Sequence, residues 1–219
     1  MIRAVRRAFD AEIMDGDDLP EELRVRAHQG LDRIHKYLGN TSALIAQLRR
    51  DPLPVRRVLD VGCGYGGMLL EVRRQMGVEV VGVDMRPPKP GAVPFPIVRA
   101  NAVCGPLPEA DVAICACFAH HLSDEELVKV IRNVGRSCRR FIILDLVRHP
   151  VPLALFRIFV APLVSRVNSA DGQLSIRRAY TPEELRAVTL KAVAGTRASV
   201  RQTVAPLYVR QLMVISYQS

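Results

Sequence analysis

Between about Glu21 and Arg50, Leu23, Ala27, Leu31, Ile34, Leu38, Leu44, Ile45 and Leu48 recur at helical spacing, broken at Gly39-Asn40 and stopped by Pro52 and Pro54. Thr41-Ser42 is a start signal for the second segment. The pattern then changes period. A short apolar strand at Val58–Val61 runs into clustered glycines, a helix over 68–76 stops at Gly77, and a second strand spans 78–85, which makes one right-handed crossover unit. Five prolines from Pro87 to Pro96 impose an irregular connection before a short strand at 97–100. Residues 111–118 are nearly all apolar, as in a strand covered on both faces. Ser123-Asp124-Glu125-Glu126 opens a helix reaching about Ser137, and a fifth strand follows at 141–147. An apolar insert at about 150–167, with Leu153, Leu155, Phe156, Ile158, Phe159, Val160, Leu163 and Val164, interrupts the alternation. Thr181-Pro182-Glu183-Glu184 starts another helix, and 199–204 and 207–217 close the chain as an antiparallel hairpin. The prediction is an α/β protein with a doubly wound, seven-stranded, mostly parallel sheet ending in that hairpin.

Composition narrows this reading. The 219 residues, 49% hydrophobic, can bury a full core. The expected organisation is an N-terminal helical cap over residues 1–52 and a main domain over 53–219 that carries the insert. The basic start Met1 to Arg7 leads into Asp15, Asp17 and Asp18 rather than an apolar signal core, and no run has the length of a membrane span, so a cytoplasmic location is expected. Cys63, Cys104, Cys115, Cys117 and Cys138 are odd in number and lack a C-x-x-C pair, so neither a disulfide framework nor a metal site is expected. Cys115 and Cys117, two apart, are predicted to face the same side of a strand. The net charge of +9 is spread over arginine pairs such as Arg6-Arg7, Arg139-Arg140 and Arg177-Arg178, with few aromatics between them. That spread fits a solvated surface better than a nucleic-acid face, which stays open as the alternative.

The candidate chemistry centres on Val58-Leu-Asp-Val-Gly-Cys-Gly-Tyr-Gly-Gly67, an apolar strand turning through glycines that bring backbone close to a ligand. Gly62, Gly64 and Gly67 satisfy G-x-G-x-x-G, and Asp84 stands at the distance of a ribose-binding acid, which would also suit a dinucleotide. Asp60 discriminates between the two. A carboxylate where a pyrophosphate would sit repels it, whereas S-adenosylmethionine carries an ammonium and a sulfonium that favour negative charge.

With these strands placed, the chain from about residue 56 onward resembles the class I S-adenosylmethionine-dependent methyltransferases, most of all the small-molecule enzymes of the ubiquinone and menaquinone biosynthesis type. The matching segments are the glycine motif, Val81-Gly-Val-Asp84, and the strand from Asp111 to Leu122 ending in Phe-Ala-His-His-Leu. The resemblance implies a Rossmann-like fold with S-adenosylmethionine as cofactor. It assigns Gly62, Cys63 and Gly64 to the methionine part, Asp60 to its ammonium, and Asp84 with Met85 to the ribose side. Asn101 with Ala102 falls at the adenine, where the family often has aspartate, and Phe118 lies against the cofactor.

In methyl transfer a nucleophile displaces a neutral thioether, so positioning matters most and a base is needed only where the nucleophile must lose a proton. His120 and His121, at the end of the fourth strand, are the candidate bases. Asn168, Asp171, Arg177, Arg178 and Tyr180 are further candidates, although Asp171-Gly172 reads equally as a turn; His35 and Tyr37 lie on a helix whose inward face the sequence does not reveal. The insert is either a lid for a hydrophobic or phenolic small-molecule acceptor, or a buried helix or homodimer contact. No Asn/Asp-Pro-Pro-Tyr motif follows the fourth strand, which counts against methylation of adenine amines. An RNA methyltransferase and a noncatalytic S-adenosylmethionine-binding protein are the alternatives to small-molecule O- or C-methylation.

Overall fold

Each of the seven strands expected from the sequence is present in one sheet of the computed structural model, which describes residues 5–16 and 19–217. Met1, Asp17 and Asp18 lie outside the described residues. The strands are β1 (Arg57–Val61), β2 (Glu79–Asp84), β3 (Ile97–Arg99), β4 (Ala110–Ala116), β5 (Cys138–Asp145), β6 (Ser199–Val204) and β7 (Gln211–Ser216), in the spatial order β3-β2-β1-β4-β5-β7-β6. β1 to β5 are parallel, and β7 enters antiparallel between β5 and β6. The predicted α/β class, strand number and closing hairpin are therefore those of the structure. Strand order reverses on either side of β1, which opens a crevice at its C-terminal end.

The helices are α1 (Glu21–Tyr37), α2 (Asn40–Arg49), α3 (Gly67–Met76), α4 (Asp124–Val134), α5 (Pro150–Leu155), α6 (Arg166–Arg178) and α7 (Pro182–Val193). α2 and α3 press Leu44, Leu48, Leu69 and Val72 onto one face of the sheet. α4 and α7 cover the other with Leu127, Ile131, Leu185 and Val188. Capping boxes at Ser123/Glu126 and Thr181/Glu184 fix where α4 and α7 begin. A smaller cluster of Leu153, Phe156, Val160 and Ile176 joins the insert to α6 beside the crevice.

Three local expectations change. α2 starts at Asn40 rather than Thr41-Ser42, because Gly39 takes a left-handed turn (φ 71°) just before it. Cys115 and Cys117 do not share a face: β4 ends at Ala116 and Cys117 adopts φ 53°, so Cys115 packs in one core and Cys117 against the other. Asp171-Gly172 is not a turn but the middle of α6, where a Cβ on Gly172 would sit 2.3 Å from Phe156 Cζ. The glycine is there for close packing of the insert.

Several of the arginines predicted to be solvated work inside the fold. Arg139 and Arg140 both bind Asp51, at 2.6 and 3.0 Å, and Arg140 is buried. Arg7 lies over the Tyr180 ring and donates to Leu122 O, and Arg178 donates to the main-chain oxygens of Asp10 and His121.

Candidate active site

β1 carries Asp60 to the floor of the crevice, where it is only 2% exposed. Among the described residues its Oδ1 has no hydrogen-bond partner. Burial, and secondarily the charge of Asp84, hold its carboxyl well above the usual carboxylate range. After Asp60 the chain bends through Gly62 (φ 73°) and Gly64 (φ 53°). Gly62 and Cys63 donate their N–H groups to Val83 O at 2.8 and 3.2 Å, and Gly64 donates to Asp84 Oδ2 at 2.8 Å. These bonds lash the glycine loop to the end of β2. The Cys63 side chain turns beneath it, since a Cβ on Gly82 would lie 2.4 Å from its sulfur, which accounts for the glycine in Val81-Gly-Val-Asp84.

Asp60, Gly62, Cys63, Gly64, Asp84, Met85, Asn101, Ala102 and Phe118 all line a single cavity of about 530 Å³. The structure thus gathers every residue the sequence nominated for the donor, and two of them also make contacts within the protein. Phe118 lies directly over Gly62, whose Cβ would fall 2.2 Å from the ring. Asn101 Oδ1 already accepts from Val103 N–H at 2.9 Å, and its main-chain oxygen accepts from Gly105, so its first role is to hold the turn after β3. Asp84 Oδ1 accepts from Arg86 N–H at 2.8 Å, which fixes the carboxylate at the strand end.

The two histidines diverge. His120 is 4% exposed, with Nδ1 2.7 Å from Asp145 Oδ1 and Nε2 3.5 Å from Glu12 Oε1. Burial opposes its charge, yet the two carboxylates outweigh burial and push its pKa up to about 10. Both ring nitrogens of His120 thus face carboxylates in a buried position. His121 is half-buried, with Nδ1 3.1 Å from Asp15 Oδ2 and its ring 4.4 Å from that of His120. It lines the cavity with a nitrogen in reach of its contents.

The opposite wall was hidden from sequence reasoning. α1 turns His28, Asp32 and His35 toward the cavity, whereas Tyr37 is 80% exposed. Burial lowers His35 to about 4, with the charge of His120 adding to the effect. Glu12, more than a hundred residues from the histidines, is pinned by α6: Asp171 accepts the N–H groups of Ile13 and Met14, and Ser175 Oγ donates to Glu12 Oε1 at 2.7 Å. Asn168 Nδ2 donates to Ala27 O, holding α6 against α1. Tyr180 donates to Leu122 O, so both it and Asn168 support the walls. Phe156 faces the cavity from the insert, while Ile158, Phe159 and Leu163 remain exposed.

A buried carboxyl oxygen without a donor, beside glycines and a second carboxylate, needs a cation rather than a phosphate. The residues present fit S-adenosylmethionine: Asp60 would meet the ammonium, Asp84 with Met85 the ribose side, and Ala102 the adenine.

Comparison with known proteins agrees. Residues 58–140 match the family model described as a methyltransferase domain. A 54-residue stretch is 44% identical to the ubiquinone biosynthesis O-methyltransferase of Hahella chejuensis (strain KCTC 2396), covering 25% of this chain and 20% of that protein. Among solved structures, the plantazolicin methyltransferase BpumL in complex with SAH superposes with a TM-score of 0.68 at 11% identity, over 94% of this chain and 93% of that one. Human N-acetylserotonin methyltransferase in complex with SAM gives 0.63 at 14% identity, over 98% and 63%. Magnesium protoporphyrin IX methyltransferase from Synechocystis PCC 6803 with bound SAH gives 0.53 at 18% identity, over 94% and 91%. Residues 58–140 thus carry a methyltransferase-domain match, and the chain shares its fold with methyltransferases solved with SAM or SAH bound.

Proposed function

We propose that the chain transfers the methyl group of S-adenosylmethionine to an oxygen of a small, largely apolar acceptor. The observation that carries this reading is the buried Asp60 Oδ1, unpartnered among the described residues, on the floor of a cavity that Phe118, His121 and Phe156 also line. The donor brings its own leaving group, so the chain's task is to hold it, aim the acceptor and exclude water. Asp60 and Asp84 hold the donor, Phe118 and Phe156 supply apolar contact, and His121 is the group placed to interact with an acceptor hydroxyl. The similarity to an O-methyltransferase of ubiquinone biosynthesis supports oxygen as the acceptor atom.

The basic composition supports RNA less well, because Arg7, Arg139, Arg140 and Arg178 are engaged within the fold. The apolar cavity wall supports a small molecule in its place. The test is incubation with methyl-labelled S-adenosylmethionine and two panels, phenols and catechols in one and short RNAs in the other, read by mass spectrometry. Methylated phenols with unmodified RNA are expected; methylated RNA alone would overturn the acceptor assignment.

A further inference from the structure

The cavity holds a second constellation that donor binding leaves unexplained. Glu12, His120 and His121 each point one ligand atom inward, and these atoms lie within 4.8 Å of one another. The Nε2 atoms of His120 and His121 are 3.5 and 3.8 Å from Glu12 Oε1. Ligand atoms at about 2.1 Å around a tetrahedral ion stand about 3.4 Å apart, so each imidazole is within a few tenths of an ångström of that spacing from Glu12, and the two imidazoles have at most about 1.4 Å to close on each other.

The surroundings are built for the same purpose. Each imidazole has a carboxylate behind it, Asp145 on Nδ1 of His120 at 2.7 Å and Asp15 on Nδ1 of His121 at 3.1 Å. A carboxylate accepting Nδ1–H aims Nε2 at the ion and makes its lone pair more basic; His120, an imidazolium before the ion enters, gives its Nε2 proton to water as the ion binds. Glu12 is held from its own side by Ser175 and by the clamp of Asp171 on Ile13 and Met14.

We propose that Glu12, His120 and His121 form a site for a divalent first-row transition metal ion, and that the ion binds the acceptor through a hydroxyl oxygen. Two imidazoles and one carboxylate suit zinc, manganese or iron and leave positions open on the cavity side. The proposal rests on the methyl-transfer reading for the acceptor, but the ion site stands on its own geometry. A hydroxyl that joins the ion gives its proton to water. An oxygen lone pair then forms the new bond to the methyl carbon as the carbon–sulfur bond breaks, and that electron pair stays on sulfur as a neutral thioether. The acceptor class this favours is a catechol or another phenol with a neighbouring oxygen, which can hold the ion through two atoms.

Calorimetric titration of the full chain, stripped with chelator, with Zn²⁺ tests the site, and Co²⁺ absorption reports the ligands. We expect one equivalent bound, a Co²⁺ spectrum without thiolate charge transfer, and at least tenfold weaker Zn²⁺ binding in both Glu12→Gln and His121→Ala. Circular dichroism verifies that each variant is folded, and the conservative Glu12→Asp, which keeps the carboxylate, is expected to recover part of the affinity. Absence of Zn²⁺ binding by the folded wild type, affinity unchanged in both variants, or a thiolate signature would overturn the proposal. S-adenosylhomocysteine affinity measured on the same samples reports the donor site separately: binding of it without metal defeats the ion site alone, and metal uptake without it defeats the donor reading alone.

Discussion

Asp60→Asn changes one atom at the point where donor binding and stability oppose each other. In the free protein Asp60 Oδ1 is buried without a partner and the carboxyl is held well above its usual range, by burial first and Asp84 second. In the unfolded chain an aspartate ionises near pH 3.9. Between that value and the raised folded one the unfolded state is the better acid, so folding stability falls by about 1.4 kcal/mol for each pH unit crossed. Asparagine does not titrate and removes this slope. The variant's melting temperature relative to wild type should therefore rise from pH 4 toward pH 7. Donor binding moves the other way. The ammonium of S-adenosylhomocysteine loses a charged partner worth about 1.5–3 kcal/mol, which is roughly a tenfold to hundredfold weaker Kd. The assay is a pair of measurements on one preparation, thermal melts at several pH values and calorimetric titration with S-adenosylhomocysteine. Wild-type affinity in the variant would refute the placement of the ammonium, and a melting difference that does not change with pH would refute the buried charge.

Other substitutions probe the scaffold. Gly62→Ala forces a Cβ to 2.2 Å from Phe118 Cγ at a left-handed φ of 73°; melts should show a loss of about 1–3 kcal/mol together with weakened donor binding, and an unchanged Kd would separate the loop from the donor. Gly172→Ala gains up to about 1 kcal/mol of helix propensity but meets Phe156 Cζ at 2.3 Å, so net destabilisation in urea is expected; a more stable variant would show that the insert yields. His120 has a folded pKa raised to about 10, so its contribution is complete below its unfolded value near 6.5 and is lost as pH rises through about 10. Wild-type stability should accordingly fall between pH 7 and pH 10. His120→Gln, which leaves Asp145 and Glu12 without their shared cation, should cost about 3–5 kcal/mol at pH 7 and flatten that decline; an unaltered pH profile would contradict the buried imidazolium.

What the sequence disclosed and what it withheld follow from the range of the interactions. The glycine loop from Asp60 to Gly67, the strand ending at Asp84, the seven strands and the closing hairpin are set by local turn chemistry and crossover rules, and they were legible. The role of His120 was not, because it is decided by Asp145 on the next strand and by Glu12 from the far N-terminus, neither of which any spacing connects to it. Asp171-Gly172 carries turn chemistry in sequence, yet Gly172 serves a packing contact with Phe156 and Asp171 clamps Ile13 and Met14. The inward face of α1 was only partly readable: the periodic Leu31 and Ile34 line the cavity, but His28, Asp32 and His35 join them there while Leu23 is exposed.

The most direct test is calorimetric titration of S-adenosylhomocysteine into the wild-type chain and into Asp84→Ala. A methyl-donor site built on Asp60, the glycine loop and Asp84 gives one equivalent bound by the wild type and at least tenfold weaker binding by the folded variant. No binding by the wild type, or equal binding by both, would contradict it.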